Sequence, residues 1–132
     1  MKTNRVQVKL VVFPTNKSEW NNNYCSYCPA INYPFGRADS IEKVVADVQS
    51  QLLKLLCHRE IYKNLQNLGW KITDTSIKVP TFTDEEAVRL TEQSYEIKIS
   101  NPIIIEIDVE VPLSPTEVLV QLNYISRNYI QS

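Results

Sequence analysis

Residues 39–56 read DSIEKVVADVQSQLLKLL, and this stretch decides the fold. Asp39 or Ser40 can cap a helix, and Glu42, three residues after Asp39, completes a capping-box pattern. Ile41, Val44, Val45, Val48, Leu52, Leu55 and Leu56 then recur at helical spacing. A stripe this wide has to be buried against a second layer, since in water it would expose a continuous apolar face. Ile61, Tyr62, Leu65 and Leu68 extend the pattern, either in the same helix or after a break near residues 57–59. Gly69 is the expected C-terminal stop.

Upstream, the pattern changes to period two. Over residues 5–13, Val6, Val8, Leu10 and Val12 fall on one face and Gln7 and Lys9 on the other, the signature of a half-buried strand ended by Pro14. Residues 15–23 (TNKSEWNNN) are polar, and three consecutive asparagines tolerate left-handed turn geometry, so they read as a hairpin loop. Residues 24–28 resume a strand, Pro29 interrupts it, and residues 33–37 give a short third strand beside a turn containing Gly36.

Downstream of the helix, residues 70–79 read as one strand through Trp70, Ile72, Ile77 and Val79. Thr83 with Glu86 forms another capping box and opens a short helix to about Ser94, followed by strands over residues 95–99 and 102–111. In the last of these, Ile103, Ile105, Ile107, Val109 and Val111 alternate with Glu106, Asp108 and Glu110, so one face is apolar and the other carries three acids. Ser114-Pro115-Thr116-Glu117 then combines an N-cap, a proline at the first helical position and a capping-box glutamate. The closing helix carries Val118, Leu119, Leu122, Ile125 and Tyr129 as its apolar stripe.

These elements predict an α+β fold: a small antiparallel sheet packed by one long helix in the order βββαβ, then a helix-strand-strand-helix extension. The boundary falls at Pro80, giving an α+β domain over 1–80 and an acidic C-terminal extension over 81–132. The charge divides at the same place. Residues 1–80 hold 11 Lys and Arg against 6 Asp and Glu, or +5, and residues 81–132 hold 3 against 9, or −6, inside a net charge of −1. Such asymmetry fits a nucleic-acid-facing half, or an acidic surface that meets a basic partner. Equally, the two halves can dock on each other and cancel much of the field.

Composition excludes more than it identifies. An average chain of 132 residues carries about 9 glycines, and the two present cannot build a glycine-rich phosphate cradle or a dinucleotide fingerprint. The single histidine, His58, removes every site that needs two imidazoles. It follows an apolar helical stripe, no nucleophile signature exists to partner it, and it reads as a solvent-facing helix residue. The run from Leu10 to Phe13 is too short for a signal-peptide core, and no stretch approaches the roughly 18 apolar residues of a membrane span. A soluble, cytoplasmic protein is expected. Three cysteines, Cys25, Cys28 and Cys57, are an odd and small number, so reduced thiols are the default.

The C-x-x-C of Cys25 and Cys28 together with Cys57 and His58 supplies four zinc-ligand types on paper. Geometry opposes the reading, because residues three apart on a strand point to opposite faces. A thioredoxin-like motif would open a helix, whereas Pro29 follows directly. The row Glu106, Asp108 and Glu110 can hold a divalent cation, or form the solvated side of an antiparallel strand whose like charges discourage edge-to-edge pairing. No catalytic, cofactor-binding or metal-ligating residue is assigned, no cofactor is expected, and an enzyme resting on the acids or the thiols is the least favoured class.

The segment Tyr24-Cys25-Ser26-Tyr27-Cys28-Pro29, followed by Ala38-Asp39-Ser40-Ile41-Glu42-Lys43-Val44-Val45, resembles the HicB-type antitoxin domain. In that family a strand ending in an aromatic and a proline leads to a "GDTxEEA" helix start. Asp39, Ser40, Ile41 and Glu42 fit that start, with Ala38 and Lys43 at positions where the family usually has glycine and an acid. The resemblance covers about residues 6–57. It implies an α+β domain that binds and blocks a small ribonuclease toxin rather than catalysing a reaction, with a DNA-binding segment usually following.

Here the strand that follows carries Glu106, Asp108 and Glu110, whose repulsion from phosphates argues against major-groove insertion. The C-terminal strand and helix therefore read as a dimerisation or partner-docking unit. Val118, Leu122, Ile125 and Tyr129 are the candidate self-association residues of a homo-oligomer. Glu106, Asp108 and Glu110 are the candidate row facing a basic protein partner. The competing expectation is a nucleic-acid-binding or regulatory protein that uses the basic first half.

Overall fold

The structure is a computed structural model that describes residues 4–14, 24–58, 60–73, 75–112, 115, 117 and 118. Strands β1 (Asn4–Pro14), β2 (Tyr24–Cys28), β3 (Tyr33–Ala38) and β6 (Ile103–Val111) form one antiparallel sheet in the order β3-β2-β1-β6. Helices α1 (Ile41–Leu56) and α2 (Ile61–Asn67) follow β3 in the chain, and α3 (Asp84–Tyr95) precedes β6. Between α2 and α3, β4 (Lys71–Ile72) and β5 (Ile77–Lys78) make a small separate hairpin. The class is α+β, with a small antiparallel sheet and, among the described residues, the helices α1, α2 and α3.

One face of the sheet belongs to α1. Val6, Val8, Leu10 and Val12 of β1 share a core with Ile107, Val109 and Val111 of β6 and with Val44, Val48, Leu52 and Leu56 of α1. These four helix residues recur every four positions, so a single line of side chains is sealed against the strands. Ser40 caps the helix, accepting the Lys43 amide at 3.2 Å, and the Asp39 carboxylate lies 3.0 Å from the Lys43 ammonium.

The chain breaks at Cys57 and His58 and resumes as α2, where the Tyr62 hydroxyl donates to the Leu56 carbonyl at 2.6 Å. Gly69 ends that helix at φ +107°, a conformation that only glycine adopts without strain. Trp70 then turns inward, its indole N–H donating to the Ala30 carbonyl at 2.8 Å and tying the helical unit to the β2–β3 turn.

The opposite face explains the unbroken apolar run from Leu10 to Phe13. Val11 and Phe13, paired with Tyr27 and Cys25, point away from α1 and are fully buried all the same. Helix α3 covers them. Ala87 and Thr91, one turn apart and small, let the helix approach, and the Tyr95 ring packs edge-on against Phe13 at 5.1 Å. The Tyr95 hydroxyl donates to the carbonyls of Ser26 (2.8 Å) and Phe35 (3.1 Å), fastening the helix end to β2 and β3. A strand buried on both faces loses its polar alternation.

Several expectations are corrected. Residues 70–79 are not one strand: the Thr73 amide donates to the Ser76 carbonyl at 2.9 Å and the Ser76 amide to the Thr73 hydroxyl at 3.0 Å, so the polar interval is a turn. The strand expected over residues 95–99 does not form. Tyr95 stays helical, Glu96 takes a left-handed φ of +57°, and the Ile99 amide bonds back to the Glu92 carboxylate at 2.9 Å. Gly36 lies within β3 rather than in a turn beside it. The asparagine-rich loop and most of the closing helix lie outside the described residues.

The boundary at Pro80 does not divide the sheet. β6 pairs with β1 residue for residue from Asn4↔Val111 to Val12↔Ile103, so the acidic segment supplies an integral strand.

Candidate functional site

Helix α3 reaches over only the second half of β1, which leaves the first half of the same sheet face open to solvent. There the register sets Arg5 beside Glu110, Gln7 beside Asp108 and Lys9 beside Glu106. Glu106, Asp108 and Glu110 are all exposed, as the alternation of the strand predicts. The structure thus brings the three acids onto one surface of β6.

The cations next to the row are only partly matched to it. Arg5 reaches Glu110 at 3.3 Å, an exposed pair worth about 0–1 kcal/mol. Lys9 turns away from Glu106 and is held by the Asp84 carboxylate and the Phe82 carbonyl, each at 2.7 Å. Gln7 carries no charge. Among the described residues, no cation lies within ion-pair distance of Glu106 or Asp108. Arg5 and Lys9 come from the basic half and Glu110 and Asp84 from the acidic half, so docking of the halves does cancel part of the charge division.

Beside β6, on the helix side, lies a groove of about 480 Å³ lined by Arg5, Gln49, Leu53, Val109 and Glu110 among others. Leu53 is 40% exposed there, and the Gln49 side-chain amide donates to the Asp108 carbonyl at 3.1 Å. Sequence reasoning missed both residues. The signal was present, since Leu52 and Leu53 are adjacent and a helix can bury only one of them in the same stripe.

The other candidates separate. Cys28 belongs to the core on the α1 face, and burial pushes its thiol up to about 12. Cys25 is buried on the α3 face, opposite Phe13 and near Tyr95, while Cys57 is exposed at the end of α1. His58 is exposed beside Tyr33, Gln51, Lys54 and Leu55. Among the described residues, no three Cys, His, Asp or Glu side chains are placed to share a metal ion. Along a strand, alternate carboxylates stand roughly 6.6 Å apart.

Of the self-association residues, Val118 is fully buried in the core of its own chain. Leu122, Ile125 and Tyr129 lie outside the described residues. Among the described residues no helix is long and apolar enough to cross a membrane. No protein-family model matches the chain, and no curated protein or solved structure matches it.

Proposed function

We propose that the chain is a non-enzymatic protein-interaction module that meets a basic partner through Glu106, Asp108 and Glu110. The carrying observation is that all three acids stand exposed on an open sheet surface while the neighbouring cation Lys9 is engaged elsewhere. A surface with uncompensated carboxylates attracts a positive partner and speeds its encounter. The resemblance of residues 6–57 to HicB-type antitoxins makes a small ribonuclease toxin the partner of choice, since ribonucleases present cationic surfaces to their polyanionic substrate.

The test is affinity capture of the tagged full chain from its native host across a salt series. A stoichiometric basic protein should be recovered at low salt and lost as salt rises. The triple variant E106Q/D108N/E110Q should weaken the complex and flatten its salt dependence. Recovery of no partner, together with a monomer in light scattering, overturns the reading, as does a partner whose affinity ignores both salt and the triple variant.

A further inference from the structure

The sheet has two edges, and they differ in what they offer. β3 is six residues long and contains Pro34, which lacks an N–H and interrupts any ladder. β6 runs nine residues with its prolines, Pro102 and Pro112, just outside the strand. Its inner side pairs with β1, and among the described residues no strand is bonded to its outer side. An edge of this length is a template for another extended chain.

The two faces of that edge then select the occupant. On the open face, a neighbouring strand meets Glu106, Asp108 and Glu110 at every second residue. On the helix face, its alternate residues meet the groove floored by Leu53 and Val109. β1 already shows the complementary pattern from the inside, since Arg5-Val6-Gln7-Val8-Lys9 sets polar or basic residues opposite the acids and valines opposite the apolar side. A second copy of β6 does not fit, because self-pairing places acids across from acids, and like charges on facing strands destabilise the pair.

Resting on the protein-binding reading above, we infer that the outer edge of β6 takes an extended segment of the partner as a fifth strand. That segment carries Lys or Arg at alternate positions against Glu106, Asp108 and Glu110, and apolar residues between them against Leu53. Main-chain hydrogen bonds supply much of the affinity and the alternating side chains supply the selection. The Gln49 amide, already bonded to the Asp108 carbonyl, marks where a helix side chain touches this strand's backbone beside the groove.

The probe is a synthetic seven-residue peptide of alternating Lys and Val, blocked at both ends, added to the full-length chain. Its comparison peptide has the same sequence, N-methylated at alternate residues, which keeps every charge and removes the donors on one side. Amide hydrogen exchange by NMR reads the backbone of β6. The expected result is protection of alternate β6 amides by the first peptide, and affinity lower by about tenfold or more for the N-methylated peptide. The E106Q/D108N/E110Q chain should lose about tenfold as well.

Equal binding of both peptides overturns strand addition while leaving the protein-binding reading standing. So does failure of the peptides when the captured partner is still salt-sensitive. Failure of the peptides together with failure to capture a partner removes both. Dimerisation of the free chain through β6, seen as a doubled mass in light scattering and protection of the same amides without peptide, overturns the assignment of the edge to a partner.

Discussion

The hydroxyl of Ser26 is fully buried on the Val12 side of the sheet and has no hydrogen-bond partner among the described residues. Its backbone carbonyl, by contrast, accepts from Tyr95. A buried donor without a partner costs roughly 1–3 kcal/mol of desolvation, so Ser26→Ala should stabilise the fold by about 1 kcal/mol. Urea unfolding checks this, and a midpoint that falls would mean that the hydroxyl has a role in packing. Cys25 and Cys28 illustrate what a single residue's position reveals without a structure. Three positions apart on a strand, they had to diverge, and they do, one toward α3 and the other toward α1. Val118 illustrates the reverse, since an apolar side chain at helical spacing can face either its own core or a second copy, and spacing alone does not choose.

At the level of elements, α3 is held by reciprocal caps at one end and by Tyr95 at the other. The Thr83 hydroxyl accepts the Glu86 amide at 3.1 Å, and the Glu86 carboxylate accepts from the Thr83 backbone and hydroxyl. Replacing Thr83 by alanine should cost about 1 kcal/mol. Those same hydrogen bonds from Thr83 hold the Glu86 carboxyl below its ordinary value of 4.5. A carboxyl depressed in the folded state contributes stability above its unfolded value, and that contribution is lost as pH falls through the lowered one. The Thr83→Ala chain should therefore lose less stability than the parent chain on acidification below about pH 4.5, measured by thermal melts across a pH series. Equal acid sensitivity of the two chains would count against the linkage. Both capped starts were legible because caps are local chemistry, but at α1 the cap is Ser40, with Lys43 three residues on, so the capping box read from Asp39 and Glu42 is not the one that forms. The turn at residues 73–76 was legible only in retrospect, as its threonines and serine read as a polar interval within a strand until their backbone bonds are seen.

Over the whole molecule, Tyr27, Tyr62 and Tyr95 sit on different elements, yet each has its phenol raised above 10.0, chiefly by burial. The Cys28 thiol is raised above 9.0 for the same reason. Each group is neutral when protonated, so the folded state binds these protons more tightly than the unfolded chain. Stability is fully present below the ordinary values and falls as pH rises through and beyond them, from about 9 upward. Phenolate absorbance from these tyrosines should rise together with loss of the circular dichroism signal in an alkaline titration. Complete phenolate formation with the dichroism intact would refute that coupling. The sequence by itself determined the strand and helix periods, the caps, the stop at Gly69 and the acid row, because each follows from neighbours within a few residues. Only the tertiary structure decided that α3 covers the second face of β1, that β6 closes the sheet at its edge, that Lys9 answers Asp84 rather than Glu106, and that Leu53 faces open groove. Those outcomes depend on contacts between residues far apart in the chain, such as Arg5 with Glu110, 105 positions on, and Tyr95 with Ser26, 69 positions back, and no local pattern encodes them.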